Sequence, residues 1–175
     1  IEKFFARQTD VLIAIGTKVK SDLLAAGIGK ENQFRVFFPG LPTPPHIWKF
    51  DARNQLGWSA DETYVVFVGR LTQIKRPDRL LDIAAQVEGA TFVVAGEGEL
   101  FDECKARAAR SNMAVQFLGW RKDIDTILAA SDIAILTSDN EGIPLTLIQA
   151  AFAGLPIVST KVGSISDIVI EGGNG

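Results

Sequence analysis

The stretch YVVFVGRLTQIKRPDRLLDIAAQVEGATFVVAG, residues 64–96, decides the fold. It opens and closes on short unalternated apolar runs, YVVFVG (64–69) and TFVVAG (91–96), rich in β-branched residues. Such runs suit strands buried on both faces of a sheet. Between them, PDRLLDIAAQV (77–87) spaces its apolar residues as a helix does.

The same rhythm continues outward. Apolar runs recur at VLIAIG (11–16), FRVFF (34–38), VQFLG (115–119), DIAIL (132–136) and PIVST (156–160). Helical spacing recurs at LFDECKARAARS (100–111), IDTILAAS (124–131) and PLTLIQAAFAG (144–154). Alternating strands and helices predict an α/β fold with a doubly wound parallel sheet.

The rhythm is regular from residue 60 on. PGLPTPPHIW (39–48), with four prolines in ten residues, interrupts it and reads as a linker. Residues 1–45 are therefore expected to be the tail of one unit, and residues 46–175 most of a second. The start at Ile1 and the turn-like ending EGGNG suggest a piece of a longer protein, truncated at both ends.

Composition narrows the function. The chain is 47% hydrophobic and carries a net charge of -3, so no positive field draws in nucleic acid. One cysteine, Cys104, and one histidine, His46, provide neither an internal disulfide nor a structural zinc site. No apolar run reaches the roughly 18 residues of a membrane span, and IEKFFARQTD lacks the apolar centre of a signal peptide. A cytoplasmic protein is expected, with peripheral contact at the inner face of a membrane left open.

In an open parallel sheet, ligands bind outside the carboxyl ends of the strands, so the loops that follow the strands are searched for chemistry. After the strand at 64–68 come Gly69, Arg70, Lys75 and Arg76, and three cations there suit a phosphate. After the next strand, Gly96 and Gly98 allow a tight turn and close backbone approach. Leu100 and Phe101 follow where a dinucleotide fingerprint needs its third glycine, which argues against NAD.

Asp123 and Asp125 form a pair of the kind that can hold a divalent metal. Asp123 also stands where an N-cap belongs, and capping is the favoured reading, with no metal. Trp48, Trp58 and Trp120 read as packing residues, although Trp120 at a strand end is placed to border a base pocket.

In SDNEGIPLTLIQAAFAGLP (138–156), Pro144 suits the first helical position and Gly154 the residue past the end, giving a helix of about ten residues. Leu145, Leu147, Ile148, Ala150, Ala151 and Phe152 cover most of its circumference, which predicts packing on several sides. Thr146 and Gln149, at i and i+3, form the one polar stripe and need a partner in protein, water or ligand. The helix start is an anion site on which Arg70 and Lys75 converge, with Glu141 and Gly142 in the loop before it. Phosphate at the helix start and hydroxyls along the stripe outline a sugar joined to a nucleoside diphosphate.

At these residues the chain resembles the retaining glycosyltransferases of the GT-B fold, in particular family 4. VFVGRLTQIKRPDRLL is similar to that family's phosphate loop, and FLGWRKDIDTILAASDIAILTSDNEGIPLTLIQAAFAGLPIVSTKVG resembles its signature region. The resemblance implies that 46–175 is the Rossmann-like donor-nucleotide domain, with its final elements absent. Arg70 and Lys75 would bind the donor diphosphate, Glu141 the donor-sugar hydroxyls, and amides near Leu145 and Thr146 the phosphate. Gly69, Gly96, Gly98 and Gly142 would line the donor, and residue 149 would meet the ribose.

The family pairs two glutamates eight positions apart, and this chain has Gln149 at the second. An amide still exchanges hydrogen bonds with hydroxyls but loses the charge-assisted bond. The resemblance also implies transfer with retention and no essential metal or cofactor, with a glycan or lipid-linked acceptor bound mainly by an N-terminal domain absent here. The fragment alone is then expected not to turn over. A sugar-nucleotide-binding module without transfer, a GT-B sugar-nucleotide epimerase, and a structural domain whose Thr146 and Gln149 cap neighbouring backbone stay open at this point.

Overall fold

The computed structural model describes residues 1–175. Its centre is a five-stranded, all-parallel sheet built from β3 (Thr63–Val68), β4 (Ala90–Ala95), β5 (Val115–Gly119), β6 (Ile133–Leu136) and β7 (Ile157–Ser159), in the order β5-β4-β3-β6-β7. Successive residues of a strand point to opposite faces, so a run apolar on both faces needs a helix layer on each. That is what β3 and β4 receive. Val65, Phe67, Phe92 and Val94 pack with Leu80, Leu81 and Ala84 of α4 (Pro77–Ala84) and with Cys104 and Ala108 of α5 (Phe101–Arg110). Tyr64, Val66, Val93 and Ala95 face the other way, with Ile127 and Leu128 of α6 (Ile124–Ala130) and Leu147 and Ala150 of α7 (Leu145–Phe152).

The strand order places the functional crevice. The chain leaves β3 through α4 on one face and leaves β6, its neighbour, through α7 on the other. The carboxyl ends of β3 and β6 are therefore the topological switch point, where two loops part and leave a cleft.

A helix not foreseen in the sequence, α3 (Lys49–Leu56), packs across α6. KFDARNQL is too polar to show a clear apolar stripe, and its anchor is a buried arginine. Arg53 donates from Nε to the Ala130 carbonyl at 2.9 Å and from a terminal nitrogen to Asp132 Oδ2 at 2.7 Å. Asp132 also accepts the Tyr64 N–H at 2.7 Å, and Trp58 stacks on the Tyr64 ring at 4.3 Å between centroids. Burial raises the Asp132 carboxyl, but the Tyr64 amide and Lys49 together hold it below its ordinary value.

Residues 1–36 form a smaller piece. After α1 (Glu2–Ala6), β1 (Leu12–Ala14) pairs in parallel with β2 (Phe34–Val36) around α2 (Thr17–Ala25). Both-face burial does not hold here, since Ile13, Phe37 and Phe38 are exposed. Residues 37–48 carry no regular structure and lead to α3. The small piece is tied to the turn after β7 through Asp167, whose carboxylate accepts the Thr17 N–H at 2.8 Å and its hydroxyl at 2.7 Å, capping α2 from 150 residues away.

Two helix-level expectations are corrected. α7 spans eight residues, with Pro144 at the N-cap and not at the first helical position. Nor is it packed on several sides, because Leu145 and Phe152 are 45% and 48% exposed, while the buried line is Leu147 and Ala150.

Candidate functional site

The loop after β3 begins at Gly69, whose N–H donates to the Ala95 carbonyl at 3.0 Å. It passes Arg70, closes a single 3-10 turn over Gln73–Lys75, and reaches Arg76 in the left-handed region at φ 51°. That conformation costs a non-glycine residue about 1 kcal/mol or more and persists only where neighbours enforce it. The loop after β6 does so. Thr137 Oγ1 donates to the Lys75 and Arg76 carbonyls at 2.9 and 3.0 Å, and the Asp139 N–H donates to the Ile74 carbonyl at 2.9 Å.

Across this joint lies the central pair. Lys75 Nζ donates to Glu141 Oε1 at 2.6 Å, and Ser138 Oγ donates to the same oxygen at 2.6 Å. The Glu141 side chain is 9% exposed and that of Lys75 is 22% exposed. A carboxylate so far removed from water needs such charge-assisted partners. Gly163 makes room for the Glu141 backbone, since a Cβ there would lie 1.6 Å from the Glu141 carbonyl oxygen.

The three-cation reading of the β3 loop is corrected by this geometry. The Arg76 guanidinium donates to both oxygens of Asp78, at 2.9 and 2.8 Å, and to Asp139 at 3.1 Å. Asp78 and Asp139 raise its pKa further, and in turn Arg76 lowers the Asp78 carboxyl, while Arg76 and Arg79 lower that of Asp139. Arg76 is thus a structural tie. Arg70 is exposed, and its side chain forms no hydrogen bond or ion pair.

Gly96 and Gly98 stand against the β3 loop. A Cβ on Gly96 would lie 2.0 Å from the Gly69 carbonyl oxygen, and one on Gly98 2.5 Å from that of Leu71. These glycines let the loops after β3 and β4 touch backbone to backbone. Gly142 abuts the smaller piece, where Ile15 Cδ1 lies 2.9 Å from the position its Cβ would take.

At the start of α7, the amides of Leu145 and Thr146 have no intrahelical acceptor and Pro144 provides no side-chain cap. The side chains of Thr146 and Gln149 form no hydrogen bonds within the protein, so the stripe caps no neighbouring backbone. Gln149 lines a groove of about 390 Å³ between α6 and α7, walled by Asp125, Leu128 and Phe152 and by residues 43–49.

Asp123 occupies the N-cap position of α6 but does not cap it. Its carboxylate accepts from Arg121 Nε at 2.8 Å, and that guanidinium lowers its pKa. Trp58 packs as expected, whereas Trp48 and Trp120 are exposed, the latter with Lys122 Nζ 5.6 Å from its ring centroid. The residues the sequence reading passed over are Thr137, Ser138, Asp139 and Arg79. The signal was the polar run TSDN after a buried strand, which spaces Glu141 from the sheet.

Comparison with known proteins gives this crevice a family. Residues 49–175 match the family model described as glycosyl transferases group 1. A UDP-Gal:alpha-D-GlcNAc-diphosphoundecaprenol alpha-1,3-galactosyltransferase of Escherichia coli is 32% identical over 136 residues, covering 71% of this chain and 35% of the relative. A D-inositol 3-phosphate glycosyltransferase of Mycobacterium tuberculosis is 32% identical over 130 residues, covering 69% and 27%. Among solved structures, HepE of Anabaena in complex with UDP superposes with a TM-score of 0.86 at 26% identity, over 95% of this chain and 49% of that one. The chain thus spans about a third of the length of these curated relatives and about half of the solved one. The doubly wound sheet is the Rossmann-like domain of GT-B glycosyltransferases. Because the matched segment contains the whole five-stranded sheet and both loops of the crevice, the chain belongs to the glycosyl transferases group 1 family.

Proposed function

We propose that this chain supplies the donor-binding half of a retaining, family 4 glycosyltransferase, which moves a sugar from a nucleoside diphosphate to an acceptor. The observation that carries the reading is the Lys75–Glu141 pair at the switch point, 2.6 Å long; the unpaired Arg70 and the free amides of α7, in the loop and helix that follow the same two strands, support it.

In the unliganded crevice Lys75 and Glu141 neutralise each other. A diphosphate carries more charge than a carboxylate, so it draws Lys75 and Arg70 towards itself, and the α7 amides complete its coordination. Glu141, still held by Ser138, is then an acceptor for donor-sugar hydroxyls. As the bond between the sugar and the diphosphate breaks, negative charge grows on the leaving phosphate, where these cations and amides would be gathered. In this reading the cations and amides take the place of an essential metal or cofactor.

HepE was solved with UDP and with UDP-glucose, and the Escherichia coli relative is named for UDP-Gal. A uridine diphosphate sugar is accordingly the donor proposed here. Gln149 and Asp125 in the α6–α7 groove would meet the ribose. Residues 1–45 are read as the tail of an N-terminal domain that holds a glycan or lipid-linked acceptor, and 46–175 as the nucleotide-sugar domain. No helix is long and apolar enough to cross a membrane. A cytoplasmic site of action with peripheral contact at a membrane's inner face completes the proposal.

The test is calorimetric titration of the chain with UDP, GDP and ADP, for wild type and Lys75→Ala. UDP should bind and the substitution should weaken it. Binding of none at millimolar concentration, or binding indifferent to Lys75, contradicts the reading. Gln149 in place of glutamate favours one second reading, a binding module without transfer. Acceptor-dependent release of UDP by the whole polypeptide would exclude it.

A further inference from the structure

Asp139 lies two residues before Glu141 and on the rim of the crevice, and its contacts run to the loop that carries Lys75 and to the first turn of α4. Its N–H donates to the Ile74 carbonyl at 2.9 Å. Its carboxylate accepts from Arg76 at 3.1 Å and from Arg79 at 2.9 Å. Arg79 in turn donates to the Thr137 carbonyl at 2.6 Å, and Arg76 reaches back to Asp78. Lys75 sits inside this lattice. The residue before it accepts from the Asp139 amide, the residue after it extends its guanidinium to the Asp139 carboxylate, and its own carbonyl accepts from Thr137.

We propose that Asp139 is a positioning residue for the donor site: its carboxylate, clamped between Arg76 and Arg79, fixes the backbone of Lys75 so that the ammonium is aimed into the crevice. The proposal rests on the donor-site reading given above, and it makes a prediction that electrostatics alone does not. Asp139 is an anion beside a site for an anionic diphosphate, and it occupies two guanidinium groups. If it acted only through space, neutralising it would tighten nucleotide binding, because one repulsive charge would go and two cations would be released. If it acts by positioning, neutralising it weakens binding, because the loop that presents Lys75 loses its outer tie.

The lattice also ranks its own members. The pairs are partly exposed, so each alone contributes little, and the effect comes from several ties acting on one left-handed residue. Asn at 139 keeps the backbone N–H bond to the Ile74 carbonyl and the shape of the side chain, and it removes the charge and one of the two acceptor oxygens that hold the guanidinium groups.

The experiment is a double-substitution cycle read by calorimetric titration with UDP: wild type, Asp139→Asn, Lys75→Ala and the pair. Asp139→Asn should weaken UDP about 3- to 10-fold, and should do little more in the Lys75→Ala background, as coupled neighbours do. Tighter or unchanged binding, or a loss fully additive with Lys75→Ala, overturns the proposal. Hydrogen exchange of the unliganded chain supplies a readout that needs no nucleotide. Asp139→Asn should speed exchange of the Lys75 and Arg76 amides about tenfold, with the core strands unchanged. Unchanged exchange at those amides overturns the proposal even if UDP binds. Failure of UDP to bind wild type with exchange accelerated as expected sinks the donor reading and leaves the clamp standing.

Discussion

The two sides of the candidate donor site are built differently. On one side, the loops after β3 and β6 are stitched together by Thr137, Asp139 and Arg76, Arg79 of α4 is tied to Thr137 and Asp139, and the Lys75–Glu141 pair, which Ser138 also holds, sits within the stitching. On the other, Gln149 lines an open groove under an unstructured proline-rich linker, and its side chain is bonded to nothing in the protein. A leaving diphosphate gathers charge during transfer and a ribose does not, so rigid preorganisation has most to contribute on the phosphate side. The groove can hold its ligand more loosely.

The severest break in the phosphate side is Gly96→Ala. A Cβ at 2.0 Å from the Gly69 carbonyl forces the β3 and β4 loops apart, and a loss of about 3 kcal/mol or more is expected in denaturant unfolding. An unchanged midpoint would show that the loops are not locked. Lys75→Ala comes next, with UDP affinity falling about 30-fold or more by calorimetry, since it removes a charge-assisted contact and leaves Glu141 without its cation. Gln149→Ala should cost only about 3- to 5-fold in the same titration, the scale of one neutral hydrogen bond. Equal losses at Lys75 and Gln149 would erase the contrast.

The smallest effect is in pH. Arg76 and Arg79 hold the Asp139 carboxyl below its ordinary value near 3.9, so its contribution is fully present above that pH and is lost as pH falls through the lower folded value. Exchange protection of the Lys75 amide, corrected for intrinsic rate, should therefore be flat above about pH 4 and decline below it. Residues 43–49 of the groove should show no such decline.

Most of the sheet was legible because each central strand is apolar on both faces and each has a helix layer on both sides. The same signal marked strands correctly at 11–16 and 34–38 but not their burial, since a run of similar composition is covered there by far less of the chain and leaves Ile13, Phe37 and Phe38 bare. α3 was illegible because its stability comes from one buried guanidinium and its carbonyl and carboxylate partners, not from an apolar stripe. In the site, the residue types were readable and the pairings were not. Arg76 and Asp123 each have a nearby opposite charge two residues away, Asp78 and Arg121, and those local pairs displaced the phosphate and capping roles that position alone suggested. The approach of Lys75 to Glu141 spans 66 residues and depends on strand order, which periodicity does not encode.

If the diphosphate binds where β3 and β6 part, amide chemical-shift mapping of the labelled chain titrated with UDP will locate it there. The largest shifts are expected at Gly69, Arg70, Lys75, Gly142, Leu145 and Thr146, with smaller ones at Gln149. Shifts confined to residues 43–49 and the α6–α7 groove, with the β3 and β6 loops silent, would contradict that location.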